Sequence, residues 1–316
     1  MSKYFDTQKL SFMAPEIKES DRHLVMTNVH KDVHTKYVNI DTRFQDHYRD
    51  DRYTDIKCAL PQSIINVQSL RVTNIELPIS FYNFSLQRKN TFFVVENSSG
   101  KRMRILLDDG NYDFSTLTGE INDKLVNGED IDNQVLGITD LSLTIDNITQ
   151  KIKIRNTSTT ESYTLHFDVD EYGKTDRNNF KSKLGWALGF RSPSYVLNAG
   201  TTDLYSETFV NVHGHRYLYL SVDEYAQTNL NSFLTPAFNG YLNPNVLARI
   251  SLDSNNYNFG SVLSAGVSKG NLLSDKRTYK GKTDIQRLHI QLLDEIGNPV
   301  DLNQLDFSFA LEIEYI

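Results

Sequence analysis

The strongest constraint on the fold is a strict alternation of apolar and polar residues near the end of the sequence, in residues 284–293 and 305–316. Successive side chains of a strand point to opposite faces, so this alternation predicts two strands that each bury one face. The buried face of the final strand is expected to carry Leu305, Phe307, Phe309, Leu311, Ile313 and Tyr315. The opposite face is expected to expose Asp306, Ser308, Glu312 and Glu314.

The first of these strands is divided in the same way. Its apolar face is formed by Leu288, Ile290 and Leu292, and its polar face by Arg287, His289 and Gln291. Between the two strands lie residues that favour turns, namely Gly297, Asn298 and Pro299. The pattern predicts a long β-hairpin whose apolar face is covered by a second sheet. Because no polar tail follows Ile316, we expect the last strand to be central or well paired.

The same stretch carries a resemblance to a known family. The run TDIQRLHIQLLDEIGNPVDLNQLDFSFALEIEY, residues 283–315, resembles the C-terminal segment of minor capsid and vertex (penton-type) proteins of nucleocytoplasmic large DNA viruses. The likeness lies in the strand, turn and strand order and in the string LLDE…G…VDL…DFSF, and it continues more weakly in VNIDTRF and LPISFYNFS. This resemblance implies a structural virion protein without enzymatic activity, whose partners are the major capsid protein and other minor capsid proteins.

Composition favours a globular protein, with 39% hydrophobic and 23% charged residues in a chain of 316 residues. The net charge of −7 argues against a main role in neutralising nucleic-acid phosphate. Cys58 is the only cysteine, which excludes an intrachain disulfide and a thiolate metal cluster and fits assembly in a reducing cytosol. Neither a signal peptide nor a membrane span is expected, since no run of 18 apolar residues occurs.

Three regions follow from the remaining pattern. Residues 1–35 show no period and predict an N-terminal arm, either a disordered terminus or a segment that orders against a neighbouring subunit. Strands are expected from Lys36 onward. The next long strand has Ile65, Val67, Leu70, Val72, Ile75 and Leu77 as its apolar positions, with a bulge near Gln68 to Leu70.

Residues 89–205 predict an inserted α+β block, in which an antiparallel sheet carries one or two helices on one face. Strands are expected at 91–96, 102–107, 141–145, 151–154 and 163–167. A helix is predicted after Asp113, a candidate N-cap, and before Gly128, with Phe114, Leu117, Ile121 and Leu125 on one face. A second, shorter helix is expected from Asp176 to about Leu188.

Strands are expected again from about Ser206, and the run HRYLYLSVDEY carries bulky residues on both faces, which predicts burial on both sides. Pairing the early strands with the late ones gives the simplest architecture. The fold class is therefore predicted as mainly β, a jelly-roll-like antiparallel β-sandwich formed by residues 36–88 and 206–316.

The sequence predicts no catalytic, cofactor or metal site. His213 and His215 flank Gly214 and could bind a metal, but a solvated or turn-lining pair is the simpler interpretation. His30 and His34 have helical spacing within the arm, where no further ligand is evident. The remaining candidates have equally simple structural explanations.

The acidic groups Asp108-Asp109, Asp168-Asp170-Glu171 and Asp223-Glu224 are interpreted as exposed acids at strand ends. Cys58 is interpreted as a packed thiol. An aromatic platform for sugars or bases could be formed by Phe81, Tyr82, Phe84, Tyr217 and Tyr219, although packing in a core or an interface explains them better.

The functional prediction is a minor capsid component, assembled in the host cytoplasm, that docks on or cements the major capsid lattice of a large icosahedral DNA virus. One alternative is a five-fold vertex protein, which would form a pentamer through head-to-tail contacts. A second is a β-sandwich module that binds glycans or a host receptor through loops such as 154–162 and 253–257.

Overall fold

The computed structural model describes residues 16–20, 23–27, 32–45, 53–128, 137–226, 245–252 and 257–316. The chain divides into two compact units. Unit 1 consists of the residues up to Ser80 and from Arg216 onward, and unit 2 of Phe81–His215. The sequence pattern placed this division at 88/89 and 205/206, and a strand of unit 2, Thr202–Phe209, runs across the second of these positions.

The regular elements are mainly strands. In chain order the strands are β1 (Glu16–Ser20), β2 (His23–Thr27), β3 (His34–Asp41), β4 (Asp55–Pro78), β5 (Phe92–Asn97), β6 (Arg102–Leu106), β7 (Leu141–Ile145), β8 (Lys151–Asn156), β9 (Tyr163–His166), β10 (Ser194–Leu197), β11 (Thr202–Phe209), β12 (Tyr217–Asp223), β13 (Val246–Ser251), β14 (Val262–Gly266), β15 (Leu272–Leu273), β16 (Arg277–Leu293) and β17 (Ser308–Tyr315). The α-helices are α1 (Phe114–Asn127) and α2 (Leu184–Ala187), and 3-10 turns span Thr42–Phe44, Phe180–Ser182 and Val267–Lys269.

Unit 1 contains an eight-stranded antiparallel sheet in the order β15-β13-β12-β16-β4-β17-β3, with β14 also paired to β4. Strand β4 is the centre of this sheet, because its first part pairs with β16 and its later part pairs with β17 on one edge and β14 on the other. Early and late strands therefore build one curled sheet around a common core. The predicted fold class, a mainly β and jelly-roll-like antiparallel sandwich, is confirmed.

The predicted hairpin of the last two strands is wrong. β16 and β17 both pair with β4, which lies between them. The turn after β16 does form, with the Asp294 carboxylate accepting hydrogen bonds from the backbone N–H groups of Ile296 and Asn298, and with Gly297 at a φ of 92°. Alternation indicates which face of a strand is buried, but it cannot identify the neighbouring strand because every half-buried strand has the same period.

The face assignment of the last strand is mostly confirmed. Phe309, Leu311 and Ile313 are buried, and β17 lies between β4 and β3, as expected for a central strand. Leu305 was expected to be buried with them, but it is 48% exposed. It precedes the strand, and its N–H donates to the carbonyl of Leu302 in a turn.

Glu312 lies on the polar face of β17 but is buried, which corrects its assignment as a surface residue. Its Oε1 is 2.8 Å from Nη2 of Arg71 on β4, and its Oε2 accepts a hydrogen bond from the hydroxyl of Tyr37 on β3 at 3.2 Å. Long side chains from both neighbouring strands thus cover the carboxylate. The hydrogen bond from Arg71 holds the pKa of Glu312 below its ordinary value.

We expect Glu312→Ala to lower the free energy of unfolding by about 1–3 kcal/mol, because Arg71 and Tyr37 lose their acceptor. Since the pKa of Glu312 is lower in the folded than in the unfolded chain, its contribution is present at neutral pH and is lost as the pH falls through the folded-state pKa. Urea unfolding at pH 7 and at acidic pH measures both effects. Glu76→Ala, at an exposed position of β4, is the control and should change stability by no more than about 0.5 kcal/mol. Equal losses for the two variants would contradict this role of Glu312.

The predicted bulge in β4 is confirmed. Pairing with β17 passes from Ser69 directly to Val67, which leaves Gln68 as an extra residue, and Asn66 has a φ of 54°. The irregularity starts earlier than expected, so that Ile65 is 57% exposed and Ile64 takes the buried position. The φ of Asn66 is in the left-handed region, where the alternation of faces is interrupted.

The N-terminal region contains structure that the sequence pattern did not predict. β1 and β2 pair as an antiparallel hairpin within the proposed arm, and β3 begins at His34 rather than at Lys36. The two five-residue strands do not show the sustained alternation on which a strand prediction depends.

Unit 2 contains two antiparallel sheets, with strand orders β10-β9-β5-β6 and β11-β8-β7. A single sheet with helices on one face was predicted, and this is wrong. The two sheets and α1 share one core, whose residues include Phe93, Val95, Met103, Ile105, Leu117, Ile121, Leu125, Leu141, Leu143, Ile152, Ile154, Leu165 and Phe167. β11 was not predicted as a separate strand, because the polar residue Ser206 occupies one of its buried positions and interrupts the apolar alternation. The Ser206 hydroxyl accepts a hydrogen bond from the N–H of Ile152 and donates one to the carbonyl of Thr208.

Helix α1 agrees closely with its prediction. Asp113 caps it, since its carboxylate accepts from the Thr116 N–H at 2.8 Å and the Thr116 hydroxyl accepts from the Asp113 N–H at 2.8 Å. Leu117, Ile121 and Leu125 are buried. Phe114, placed on the same face by its spacing, is 38% exposed because it begins the helix.

The second predicted helix is much shorter than expected. The helix from Asp176 to Leu188 is replaced by the 3-10 turn Phe180–Ser182 and by the single turn α2. Asn179 has a left-handed φ of 49°, and Lys183 is extended, so neither residue can continue a helix. No helix of the described residues is both long and apolar enough to span a membrane.

Candidate functional site

Tyrosine and arginine side chains line the outward surface of the unit 1 sheet. This tyrosine–arginine face consists of Tyr217, Tyr219, Tyr225, Arg249 and Arg287. β12 positions the first two, because its alternate residues Leu218, Leu220 and Val222 are buried while the tyrosines on its other side are half-buried. The prediction that β12 is buried on both faces is therefore only partly confirmed, because on the tyrosine side Ser221 is buried but Tyr217 and Tyr219 are half-buried.

The tyrosine–arginine face is held together by ring contacts. The rings of Tyr217 and Tyr219 meet edge to face at 5.3 Å between centroids. The guanidinium of Arg249, on the neighbouring strand β13, lies 4.2 Å from the centroid of Tyr217, and that of Arg287 lies 5.8 Å from Tyr225. Burial, followed by the neighbouring Tyr217, raises the pKa of Tyr219, so its hydroxyl remains protonated at neutral pH.

A polar cluster lies between the two tyrosine–arginine contacts, where β16 pairs with β4. Nε2 of His289 is 2.6 Å from Oδ1 of Asp55, and the Gln291 side-chain amide donates to Oδ2 of the same carboxylate at 3.1 Å. Arg287, His289 and Gln291 all point outward, as their alternation predicts. The cluster adds both hydrogen-bond donors and hydrogen-bond acceptors to the face.

Arrangements of this kind suit protein binding. Tyrosine and arginine are enriched at the centres of protein interfaces, because they combine a large contact area with directional hydrogen bonds. Arg249 and Arg287 are exposed, so their guanidinium groups can donate to a partner. Leu273, opposite Arg249 on the short edge strand β15, is 62% exposed and adds an apolar contact beside them.

The structure separates most of the chemical candidates of the sequence. His213 is exposed, and the ring of His215 contacts Phe81 edge to face at 5.2 Å. The ring of His34 contacts that of Tyr315 in a tilted arrangement with 5.7 Å between centroids, and its predicted partner His30 lies outside the described residues. The described part of the chain contains no group of three or more His, Cys, Asp or Glu side chains that could hold a metal ion.

The acidic candidates at Asp108-Asp109 and Asp168-Asp170-Glu171 have structural contacts. Asp109 accepts a hydrogen bond from the N–H of Leu86, and Asp170 accepts from the N–H groups of Tyr172 and Lys174 within a turn. Asp168 is buried and lies 3.5 Å from Arg177. The interpretation of these groups as exposed acids is therefore wrong for Asp168.

Glu224 is not exposed, as its assignment to a strand end predicted, but belongs to a buried polar network. Its carboxylate pairs with the Arg277 guanidinium and accepts a hydrogen bond from the Tyr279 hydroxyl at 2.7 Å. Arg277 also donates to the carbonyls of Val222 at 2.7 Å and Asn245 at 3.0 Å. Burial, followed by the charge of Glu224, raises the pKa of Tyr279 well above its ordinary value. The network joins β16 to the end of β12 and the start of β13.

The other candidates pack within the fold. Cys58 is half-buried opposite Leu288, and burial raises the pKa of its thiol. Phe84 is fully buried and contacts Tyr112 edge to face. In the loop 154–162, the side chain of Asn156 is buried and donates to the carbonyls of Glu161 and Asn198, whereas residues 253–256 lie outside the described residues.

Comparison with known proteins gives similarity only to solved structures. No model of a known protein family and no curated protein matches the chain. The mavirus penton protein is similar with 13% identity and a TM-score of 0.41, over 90% of this chain and 100% of that one. A chain of the Sputnik virophage, solved by cryo-EM, is similar with 14% identity and a TM-score of 0.38, over 89% of this chain and 98% of that one.

Proposed function

We propose that the chain is a non-enzymatic structural protein of a virus particle, a minor capsid component that docks on or cements the major capsid lattice. The observation that carries the proposal is the tyrosine–arginine face on the outward side of the unit 1 sheet. Its side-chain types are those that dominate interface centres. The resemblance of residues 283–315 to minor capsid and vertex proteins supplies the class of assembly, with the major capsid protein and other minor capsid proteins as partners.

The position of the face supports docking through unit 1. Four of its five residues lie on neighbouring strands of one sheet and Tyr225 follows the end of β12, so the buried core on the opposite side fixes the spacing of the four. A rigid surface loses little conformational entropy on binding, which favours a stable contact. In the proposed arrangement, the guanidinium groups of Arg249 and Arg287 receive carboxylates or carbonyls of the lattice while the tyrosine rings exclude water.

We expect Arg249→Glu to reduce incorporation of the chain into virions by about tenfold or more, because loss of an interface arginine commonly costs more than 1 kcal/mol and 1.4 kcal/mol is a factor of ten. Incorporation is measured by quantitative mass spectrometry of purified virions that have been stripped of loosely bound protein. Lys101→Glu makes the same charge change at an exposed position of unit 2 and is the matched control.

Two results would contradict the proposal. One is the absence of the wild-type chain from stripped virions. The other is equal incorporation of Arg249→Glu, Lys101→Glu and wild-type chains, which would show that the tyrosine–arginine face is not the docking surface. Thermal unfolding of each purified variant separates loss of docking from loss of folding.

A further inference from the structure

The three-stranded sheet of unit 2 exposes a second distinctive surface. Its outward side chains include three cations on β8 and two aromatic rings on β11, and we call Lys151, Lys153, Arg155, Tyr205 and Phe209 the basic–aromatic face. Tyr205 is 51% and Phe209 61% exposed, although both are large apolar side chains. The opposite side of the same strands supplies buried core residues, including Ile152 and Ile154. The face is therefore the outer surface of a packed sheet.

Register places these residues side by side. Arg155 lies opposite Asp203, Lys153 opposite Tyr205 and Lys151 opposite Phe209. Asp203 binds both Arg155, at 2.7 Å, and Lys153, at 2.9 Å, and the Lys153 ammonium lies 5.6 Å from the centroid of Tyr205. Three cations against two carboxylates, those of Asp203 and of Glu207 between Tyr205 and Phe209, leave the face with a net positive charge on a chain whose net charge is −7.

An acidic surface lies at the opposite edge of the same sheet, on α1 and the loop before it. Its exposed or partly exposed carboxylates are Asp108, Asp109, Asp113, Glu120 and Asp123. Asn122 of α1 hydrogen-bonds the backbone of Leu143 in both directions at 2.8 Å, which fixes the helix along the free edge of β7. The order is thus β11, β8, β7 and α1, with the basic–aromatic face at one end and the acidic surface at the other.

Three further features describe the acidic surface. Burial, followed by the charges of Glu120, Asp108 and Asp109, raises the pKa of Tyr112 to about 12, and only the part due to the carboxylates reflects a negative potential. Lys124 is the cation within reach of this cluster, 3.4 Å from both Asp108 and Glu120. Phe114 is 38% exposed beside these acids and offers an apolar contact.

We propose that the basic–aromatic face of one copy binds the acidic surface on α1 of a second copy. The two surfaces are complementary in charge, and each carries an exposed aromatic side chain. Because they differ and lie at opposite edges of one sheet, the contact is head-to-tail, and it leaves one free surface of each kind on every pair. The inference goes beyond the proposed function, since it concerns self-association of the purified chain.

A second copy fits the basic–aromatic face better than a nucleic acid does. Nucleic-acid binding needs many cations that neutralise phosphates. Two of the three cations here are already bound to Asp203, and the chain as a whole is acidic. An acidic protein surface with an apolar component needs only a few charge contacts and also covers Tyr205 and Phe209.

The test is sedimentation velocity of the full chain over a range of concentration and salt. We expect self-association that weakens with salt, and that Lys153→Glu and Asp123→Lys each weaken it by about tenfold or more. An equimolar mixture of these two variants should form dimers that grow no further, because each contributes its one intact surface. Phe209→Ser provides a second break of the basic–aromatic face, and Lys101→Glu is the control that should associate as the wild type does.

The proposal is overturned if the wild type remains monomeric at high micromolar concentration, or if the mixture of variants fails to form dimers while both variants are folded by circular dichroism. Binding of a fluorescent oligo-dT probe that Lys153→Glu abolishes, without self-association, would assign the face to nucleic acid instead. Virion incorporation is measured separately, so a failure here is distinguishable from a failure of the proposed function.

Discussion

We expect Phe309→Ala to lower the free energy of unfolding of unit 1 by about 3–5 kcal/mol. Phe309 is 2% exposed in β17, and its ring stacks on that of Phe307 with 6.0 Å between centroids. Removing the ring leaves a cavity in the core next to β17, a strand that pairs with β4 on one side and β3 on the other. A loss of this size is a large share of a typical domain stability of about 5–15 kcal/mol. Chemical denaturation followed by circular dichroism measures it.

Leu305→Ala is the matched control for Phe309. The alternation of the sequence assigns both residues to one face, but the structure places Leu305 at a turn before the strand, 48% exposed. The control should change stability by less than about 1 kcal/mol, as is usual for substitutions away from the core. A larger loss for Leu305→Ala than for Phe309→Ala would show that the described start of β17 is wrong.

We expect Glu224→Gln to lower the free energy of unfolding by about 3–5 kcal/mol, because it leaves the buried Arg277 guanidinium without a counter-charge. The amide keeps the volume of the carboxylate, so the loss reports charge rather than packing. The same substitution removes the charged acceptor of Tyr279. Urea unfolding of the variant and of the wild type at neutral pH measures the difference.

Asp223→Asn is the control for Glu224 because it makes the same chemical change at the neighbouring position. Asp223 is only partly buried and accepts a hydrogen bond from the N–H of Tyr225 at 2.8 Å. Its substitution should cost about 1 kcal/mol or less. If both variants lost stability equally, the Arg277 network would not be the reason for the effect of Glu224→Gln.

Elements with a sustained period were predictable from the sequence. Alternation identified the buried residues Phe309, Leu311 and Ile313, and the three- and four-residue spacing from Leu117 to Leu125 identified α1 together with its cap. These signals are local, because they depend on which face of one element meets the core. The fold class followed from their number and from the turns between them.

Relations between elements were not predictable from the same signals. β16 and β17 were expected to pair with each other, whereas β4 lies between them. Glu312 and Glu224 were expected at the surface, and both are buried because cationic and tyrosine side chains from other strands reach them. The sequence around a carboxylate does not indicate which side chains of other strands will cover it.

The candidate site was only partly visible in the sequence. Tyr217 and Tyr219 were identified as interface candidates, but Arg249 and Arg287 were not, because their positions beside tyrosines depend on the register of neighbouring strands. The basic residues of β8 alternate in the sequence, and their contacts with Asp203 and Tyr205 depend equally on register.

The most direct test of the proposed function is a cryo-EM map of the virion in which the copy number and position of this chain are determined. We expect density for the chain against the major capsid lattice away from the five-fold axes, with the tyrosine–arginine face of unit 1 in the contact. Density only at the five-fold axes would assign the chain to the vertex instead. A particle without density for the chain would contradict a structural role in the virion.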